Sequence, residues 1–136
     1  MAKLATDGRP LPSPTPTTQA FFDAAKDRRL ILPHCPRKGY FFYPRSHCPC
    51  CLKQDWDWKP ASGRGTVYAF TVDRMGHDPN LMNWVPYVVA AIELEEGPRM
   101  TAIIVDCVPE DVRVGMPVEA SYEDIDDVTI VRFRLA

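Results

Sequence analysis

A chain of 136 residues with 46% hydrophobic and 25% charged side chains is sized for one domain, or one small module on one core, and is long enough to bury an interior. Its formal charge of -2 and sequence pI near 5.9 leave no basic footprint for nucleic acid or anionic lipid. No apolar run approaches the roughly 20 residues of a bilayer span, residues 1–19 lack the apolar segment of a secretory leader, and five cysteines, an odd number with three of them in residues 48–51, fit a reducing cytoplasm better than a disulfide framework.

In chain order, residues 6–16 (TDGRPLPSPTP) place four prolines in eleven positions, which forbids helix and removes sheet donors, so an extended arm is expected. The following TTQAFFDAAKDRRL reads as a short amphipathic helix. Thr17 or Thr18 is placed to cap it, Ala20, Phe21, Ala24 and Ala25 share a face, and Lys26, Arg28 and Arg29 sit at the end that favours cations. Phe21 and Phe22 are neighbours on that helix and point in different directions, so one of them is expected to need cover from another protein.

The periodicity then changes to two. LILP and YFFY flank the first half of a cysteine-rich segment as short strands, and DWDWK (Asp55 to Lys59) alternates acid and Trp. From Gly63 onward the pattern is strand, turn, strand. GTVYAFTVDR is a long β-rich run. PYVVAAIELEE puts Val88, Ala90, Ile92 and Leu94 on one face, with Glu93 and Glu95 on the other. MTAIIVDCV follows a turn at EGPR. GMPVEASYE sets Val118, Ala120 and Tyr122 against Glu119, Ser121 and Glu123, and VTIVRFRL is expected to bury Val131, Phe133 and Leu135 while Arg132 and Arg134 face out. Five strands with one polar face and short turns fit a mainly β chain closing as an OB-fold barrel; a small sandwich satisfies the same periodicity.

The segment HCPRKGYFFYPRSHCPCC (residues 34–51) has the form of a rubredoxin-type zinc knuckle, in which two Cys-x-x-Cys pairs each wrap a tight turn around one side of a tetrahedral ion. Cys48 and Cys51 form one such pair. Cys35 opens the other, but Lys38 stands where its partner belongs, and an ammonium has no lone pair to offer. His34, His47 or Cys50 are the candidates for a fourth ligand to zinc, each adjacent in sequence to one of the three thiols. The alternative is a metal-free ribbon held by Leu30, Leu32, Tyr40, Phe41, Phe42, Trp56 and Trp58.

Catalytic machinery is sparse. His34 and His47 lie in the knuckle, His77 in a polar loop, and none is paired in sequence with a nucleophile. Ser46 and Ser62 lack a nucleophile-elbow context. Glu123, Asp124, Asp126 and Asp127 read as a solvated turn, Cys107 as a small buried hydrophobe, and GRG at 63–65 as a bend into the first barrel strand. The loop RMGHDPNLMNWVP (74–86) carries Met75, Leu81, Met82 and Trp84, more apolar surface than a loop usually shows; it either meets an acyl chain or partner, or folds back on its own barrel.

The succession of arm, helix and cysteine knuckle, followed by SGRGTVYAFTV, VPYVVAAIELEEGPR and EDVRVGMPVEASYEDIDD, resembles the family of small acyl-CoA-associated proteins in which a rubredoxin-like zinc ribbon precedes an OB-fold. The resemblance covers about Thr17 to the C-terminus and departs from the family's two complete pairs at Lys38. It implies residues 1–29 as arm and helix, 30–60 as ribbon, with or without metal, and 61–136 as barrel. It further implies a non-catalytic companion of a thiolase-like enzyme, an enoyl-CoA hydratase or a steroid side-chain aldolase, in a hetero-oligomer that binds acyl-CoA. Zinc would then rest on Cys35, Cys48 and Cys51. Contacts to coenzyme A or the partner are expected from Phe21, Phe22, Arg37, Lys38, Arg45, Arg64, Met82 and Trp84, with Lys53 adding to a local basic rim. An OB module for nucleic acid would instead interleave aromatic and basic residues, whereas Glu93, Glu95, Glu119 and Glu123 line these strands. A stand-alone enzyme would need a base and a nucleophile that the sequence does not display.

Overall fold

The computed structural model describes residues 3–76 and 78–136; the loop position His77 lies outside the described residues. Five strands close a barrel: β6 (Arg64–Asp73), β7 (Tyr87–Leu94), β8 (Arg99–Val105), β9 (Pro117–Ile125) and β10 (Val128–Leu135). Around the barrel the order is β6, β7, β8, β10, β9 and back to β6. All neighbours are antiparallel except β8 and β10, which run parallel with Phe133 opposite Ile104. This connectivity is that of an OB-fold, and closure removes the free edges that a sandwich would leave. The first numbered elements, β1 to β5 and α1, precede the barrel.

Alternation drives the closure. Along β7, Val88, Ala90, Ile92 and Leu94 are buried and the residues between them half-buried, the face expected from the period of two. They meet Val67, Met100, Ile104, Val118, Val131 and a fully buried Phe133. Strand β6 serves two neighbours, β9 through Arg64–Thr66 and β7 from Gly65 to Asp73, and its register with β7 shifts between Val67 and Ala69. Such a bulge bends a strand around a barrel rim. At Gly65 the backbones come so close that a Cβ would lie 2.5 Å from the Glu93 carbonyl oxygen, so the GRG segment provides close approach as well as a bend.

Before the barrel, α1 (Gln19–Lys26) packs on β10, β9 and β3 and buries Ala24 and Ala25. Eight residues are too few to hold a helix in water, so packing stabilises it. Thr18 is its N-cap residue, yet its hydroxyl makes no cap hydrogen bond; it accepts instead from the Thr15 N–H at 2.9 Å. A three-stranded ribbon follows, β3 (Ile31–Cys35) between β4 (Gly39–Tyr40) and β5 (Asp57–Pro60). Only Gly39 and Tyr40 of the region around YFFY are strand, and DWDWK becomes strand from Asp57 onward. Ala25, Leu30 and Leu32 belong to the same buried cluster as the barrel residues, while Cys35, Phe41 and Cys48 form a small cluster of their own.

The proline-rich arm departs from the extended reading. Its first part is a two-stranded hairpin, β1 (Lys3–Leu4) on β2 (Pro10–Leu11), turning through 5–9. Ala5 and Leu11 are buried against Ile125. Pro10 is tolerated because a strand of two residues asks almost nothing of its missing N–H.

Candidate functional site

The knuckle is built by two turns. One joins β3 to β4 and carries Cys35 at its start, with Cys35 opposite Gly39 in register. The other runs from Cys48 to Lys53, closed by the Cys48 N–H on the Lys53 carbonyl and the Leu52 N–H on the Cys48 carbonyl, each at 2.9 Å. Leu52 adopts φ 64 there, a left-handed conformation that glycine takes most readily. The two turns bring the sulfurs of Cys35, Cys48 and Cys51 within 4.8 Å of one another, with Cys35 and Cys51 at 3.6 Å. Cys35 and Cys48 are buried and Cys51 is half-buried. Phe41 and Trp56, ring centroids 5.6 Å apart, wall one side of the cluster. The Trp56 indole N–H fixes the wall by donating to the Ser46 carbonyl at 3.2 Å.

Three thiols at this spacing can hold a metal ion. None of the three candidates for a fourth ligand joins them. The His34 ring packs edge-on against Tyr40 at 4.8 Å. His47 Nδ1 lies 2.8 Å from the Ser46 hydroxyl, and Cys50 is exposed. Lys38 is exposed on the turn after Cys35. The neighbour that does reach the sulfurs is Arg37, which donates to Cys51 Sγ at 3.5 Å and is itself clamped by Asp55. The Arg37 guanidinium, helped by the Lys53 backbone, pulls the Cys51 thiol down to about 6. Asp55 is held below the usual carboxylate range by the same Arg37. Ser46 and His47 form a serine–histidine hydrogen bond that sequence reading missed, but both are exposed and no described carboxylate orients the ring.

Adjoining the knuckle is an apolar groove of about 300 Å³. Phe21 and Phe22 of α1, Phe42 and Tyr43 of the knuckle, and Met100 and Ile130 of the barrel line it, and no charged side chain does. The Tyr43 hydroxyl accepts from the Thr101 N–H at 3.0 Å, tying the knuckle to β8. Phe21 also packs on the barrel core, so Phe22 is the more available of the pair. The groove joins parts of the chain that are remote in sequence, which is why only its aromatic neighbours could be singled out beforehand.

The other expected contact residues are dispersed. Arg45 donates through Nε to the Tyr43 carbonyl at 3.3 Å. Arg64 pairs with Glu95 at 3.0 Å on the barrel, so together with Arg37 it is neutralised within the chain; the basic rim reduces to Lys38, Arg45 and Lys53, which make no ion pair among the described residues. In the 74–86 loop, Leu81 is half-buried and Met82 is exposed. Trp84 lies beneath the Arg9 guanidinium, 4.1 Å from its ring centroid. Leu81 and Trp84 share a cavity with Val88 and Ile104 of the barrel, yet Trp84 remains exposed, as do Met75 and Met82. Cys107 is half-buried, with burial raising its thiol above the ordinary value.

The acidic turn is not merely solvated. Asp124 accepts two bonds from Arg28 and one from Thr129, Asp126 accepts from the Thr6 N–H and hydroxyl, and Asp127 accepts from Lys3. Glu123 bridges Arg9 and Arg132. Arg132, expected to face out, keeps only 14% of its side chain exposed; it pairs with Glu123 and borders one cavity with Arg9 of the arm and with Leu81 and Trp84 of the 74–86 loop. Hydrogen bonds from Arg28 and Thr129 hold Asp124 at about 2.

Comparison with known proteins follows this geometry. Residues 58–123 match the family model described as ChsH2, C-terminal OB-fold domain. The chain is 37% identical over 130 residues to a probable enoyl-CoA hydratase alpha subunit of Thermomonospora curvata, covering 94% of this chain but only 40% of that longer protein. It is 43% identical over 107 residues to a DUF35 domain-containing scaffold protein of Methanocaldococcus jannaschii, covering 74% of this chain and 75% of the relative. Its fold superposes with a TM-score of 0.80 and 34% identity on a chain of the Ltp2-ChsH2(DUF35) aldolase, covering 92% of this chain and 98% of the other. Sequence, barrel topology and ribbon thus agree, and the chain belongs to the DUF35 domain family.

Proposed function

We propose that this chain is a non-catalytic accessory subunit that docks onto and stabilises an acyl-CoA-processing enzyme of thiolase-like, enoyl-CoA hydratase or aldolase type, in a cytoplasmic hetero-oligomer. The observation that carries the reading is the uncharged groove bordered by Phe21, Phe22, Phe42 and Tyr43, an apolar surface of the sort that a partner covers. The names of the relatives, a hydratase alpha subunit, a scaffold protein and an aldolase complex, support the same assignment. Met82, exposed on its loop, and Trp84 extend the candidate contact surface, and Lys38, Arg45 and Lys53 are the cations free to meet coenzyme A phosphates. The nucleic-acid alternative lacks support in the barrel, where Arg64, Arg99, Arg132 and Arg134 each pair with a glutamate.

The cofactor we assign to Cys35, Cys48 and Cys51 is zinc. Tetrahedral zinc with sulfurs at about 2.3 Å separates those sulfurs by about 3.8 Å, and the cluster, with its shortest separation at 3.6 Å, is close to that size. Zinc bound there would join the two knuckle turns and so hold Phe42 and Tyr43 in the groove wall.

The test is reconstitution. Tagged chain recovered from its native host is expected to co-elute with an acyl-CoA enzyme identified by mass and by turnover, and Phe22→Ser is expected to release that enzyme while leaving the barrel folded. Thioester turnover by the isolated chain, or a chain that stays monomeric beside every such enzyme of its host, overturns the reading.

A further inference from the structure

The three sulfurs lie within 4.8 Å of one another, close enough to share one ion, and no described His, Cys, Asp or Glu side chain joins them. His34 is turned onto Tyr40, His47 onto Ser46, and Cys50 stands exposed outside the cluster. Lys38, in the place of the missing thiol, cannot ligate while protonated. The cluster is also one-sided. Phe41 and Trp56 close one flank, whereas Cys51 is half-buried beside Arg37, whose side chain is 38% exposed. Structural zinc sites are closed by four protein ligands, and sites with three keep a position that exchanges. We propose that a metal held by Cys35, Cys48 and Cys51 would find no fourth ligand among this chain's described side chains and would take an exogenous thiol instead, bound as thiolate with its proton released to solvent.

The chemistry of the surroundings favours that ligand. Three soft thiolates select a metal that prefers a fourth sulfur to a hard oxygen donor. A dication with three thiolates carries one net negative charge, and a fourth thiolate adds another. The Arg37 N–H on Cys51, together with Lys38 and Lys53 nearby in the two turns, supplies the positive surroundings that such charge needs. A thiol bearing phosphates, such as coenzyme A, would gain from Lys38 in addition; a small neutral thiol would not. This inference rests on the zinc assignment above and goes beyond it in making the site a receptor as well as a brace.

Cobalt(II) in place of zinc in the full chain gives the readout, since its absorption reports the number and kind of ligands. The expected result is a three-thiolate spectrum whose charge-transfer intensity rises by about one third, from three sulfurs to four, on titration with 2-mercaptoethanol or coenzyme A, saturating at about one equivalent bound. Cys50→Ser is expected to leave both spectrum and titration unchanged. Lys38→Ala is expected to weaken coenzyme A about two- to fivefold, the range of an exposed ion pair, and to spare mercaptoethanol. Unchanged binding of both thiols in Lys38→Ala withdraws the phosphate contact from Lys38 and still supports thiol ligation at the metal. A four-sulfur spectrum before any thiol is added, lost in Cys50→Ser, overturns the proposal, as does a cobalt spectrum indifferent to both thiols; in these two cases the metal assignment stands. Failure to take up cobalt or zinc overturns both.

Discussion

The knuckle and the acidic hairpin between β9 and β10 set the same electrostatic problem and answer it differently. Each gathers several groups that can serve as ligands or partners to a cation: Cys35, Cys48 and Cys51 in one, Glu123, Asp124, Asp126 and Asp127 in the other. The hairpin is answered from within, by Lys3, Arg9, Arg28 and Arg132 and by the Thr6 N–H. Among the described residues the sulfurs are touched by one side-chain cation, Arg37, directed at a single sulfur and shared with Asp55, while Lys38 and Lys53 stand exposed in the flanking turns. A cluster neutralised by its own chain is a fastener. One left short of positive charge is arranged for a cation from outside, and that difference separates the structural region of this molecule from its candidate site.

The comparison breaks most readily at the knuckle. Metal present at a hundredfold its Kd adds about 2.7 kcal/mol to folding, so chelation is expected to lower the thermal midpoint of the native chain by several degrees. Cys48→Ser is expected to melt low already and to be indifferent to chelator. A native chain equally indifferent would place the knuckle with the hairpin as a self-sufficient unit.

A smaller effect is expected at Arg9, which joins Asp7, Glu123 and the Trp84 ring with only 16% of its side chain exposed. Arg9→Ala removes charge-assisted bonds in a half-buried setting and is expected to cost about 1–3 kcal/mol in urea denaturation. Arg132→Ala, tested alongside, would leave Glu123 with Arg9 alone. Near-additive losses in the double variant would show that the two arginines act independently rather than as one network.

The hairpin also has a pH signature. Asp124 is held at about 2, chiefly by Arg28, against an ordinary value of 3.8. Its folded pKa is the lower, so its contribution is present above the unfolded value and is lost as pH falls from about 3.8 through about 2. Arg28→Asn, chosen because Arg28 has φ 58 and Asn tolerates that region, is expected to move the Asp124 titration, read by carboxyl carbon NMR, back toward 3.8. An unmoved titration would reassign the effect to Thr129.

The mildest change is at Leu52, exposed and left-handed at φ 64. Leu52→Gly relieves that conformation, worth roughly 1–2 kcal/mol, but adds unfolded-state freedom of about 0.5–1 kcal/mol. A net gain of at most about 1.5 kcal/mol is expected in chemical denaturation, with metal content unchanged.

How much of this was legible in the sequence follows from the range of the interactions. Strand alternation is local, so the buried face of β7 could be read from PYVVAAIELEE, and the vacancy at Lys38 could be read from spacing alone. Pairs such as Lys3 with Asp127 or Arg28 with Asp124 leave no local pattern, because the residues meet only after the barrel closes. The same cause hid the burial of Arg132, whose alternation points outward but which meets Arg9 and the 74–86 loop around one cavity. The arm's hairpin is not legible from its prolines, because proline content measures what a long strand loses, and this hairpin asks for two residues per strand. The groove was half visible: its aromatic side chains stood out, but their convergence with Met100 and Ile130 is a product of tertiary folding.

Ala25, Leu30 and Leu32 sit in one buried cluster with Val67, Val118 and Phe133. The ribbon is therefore rooted in the barrel rather than tethered to it, and recombination that exchanges knuckles between relatives must carry these three anchors along or leave a hole at the end of the barrel. Nor is the 58–123 segment a transplantable cassette by itself, since it stops short of β10 and of the fully buried Phe133 that β10 contributes.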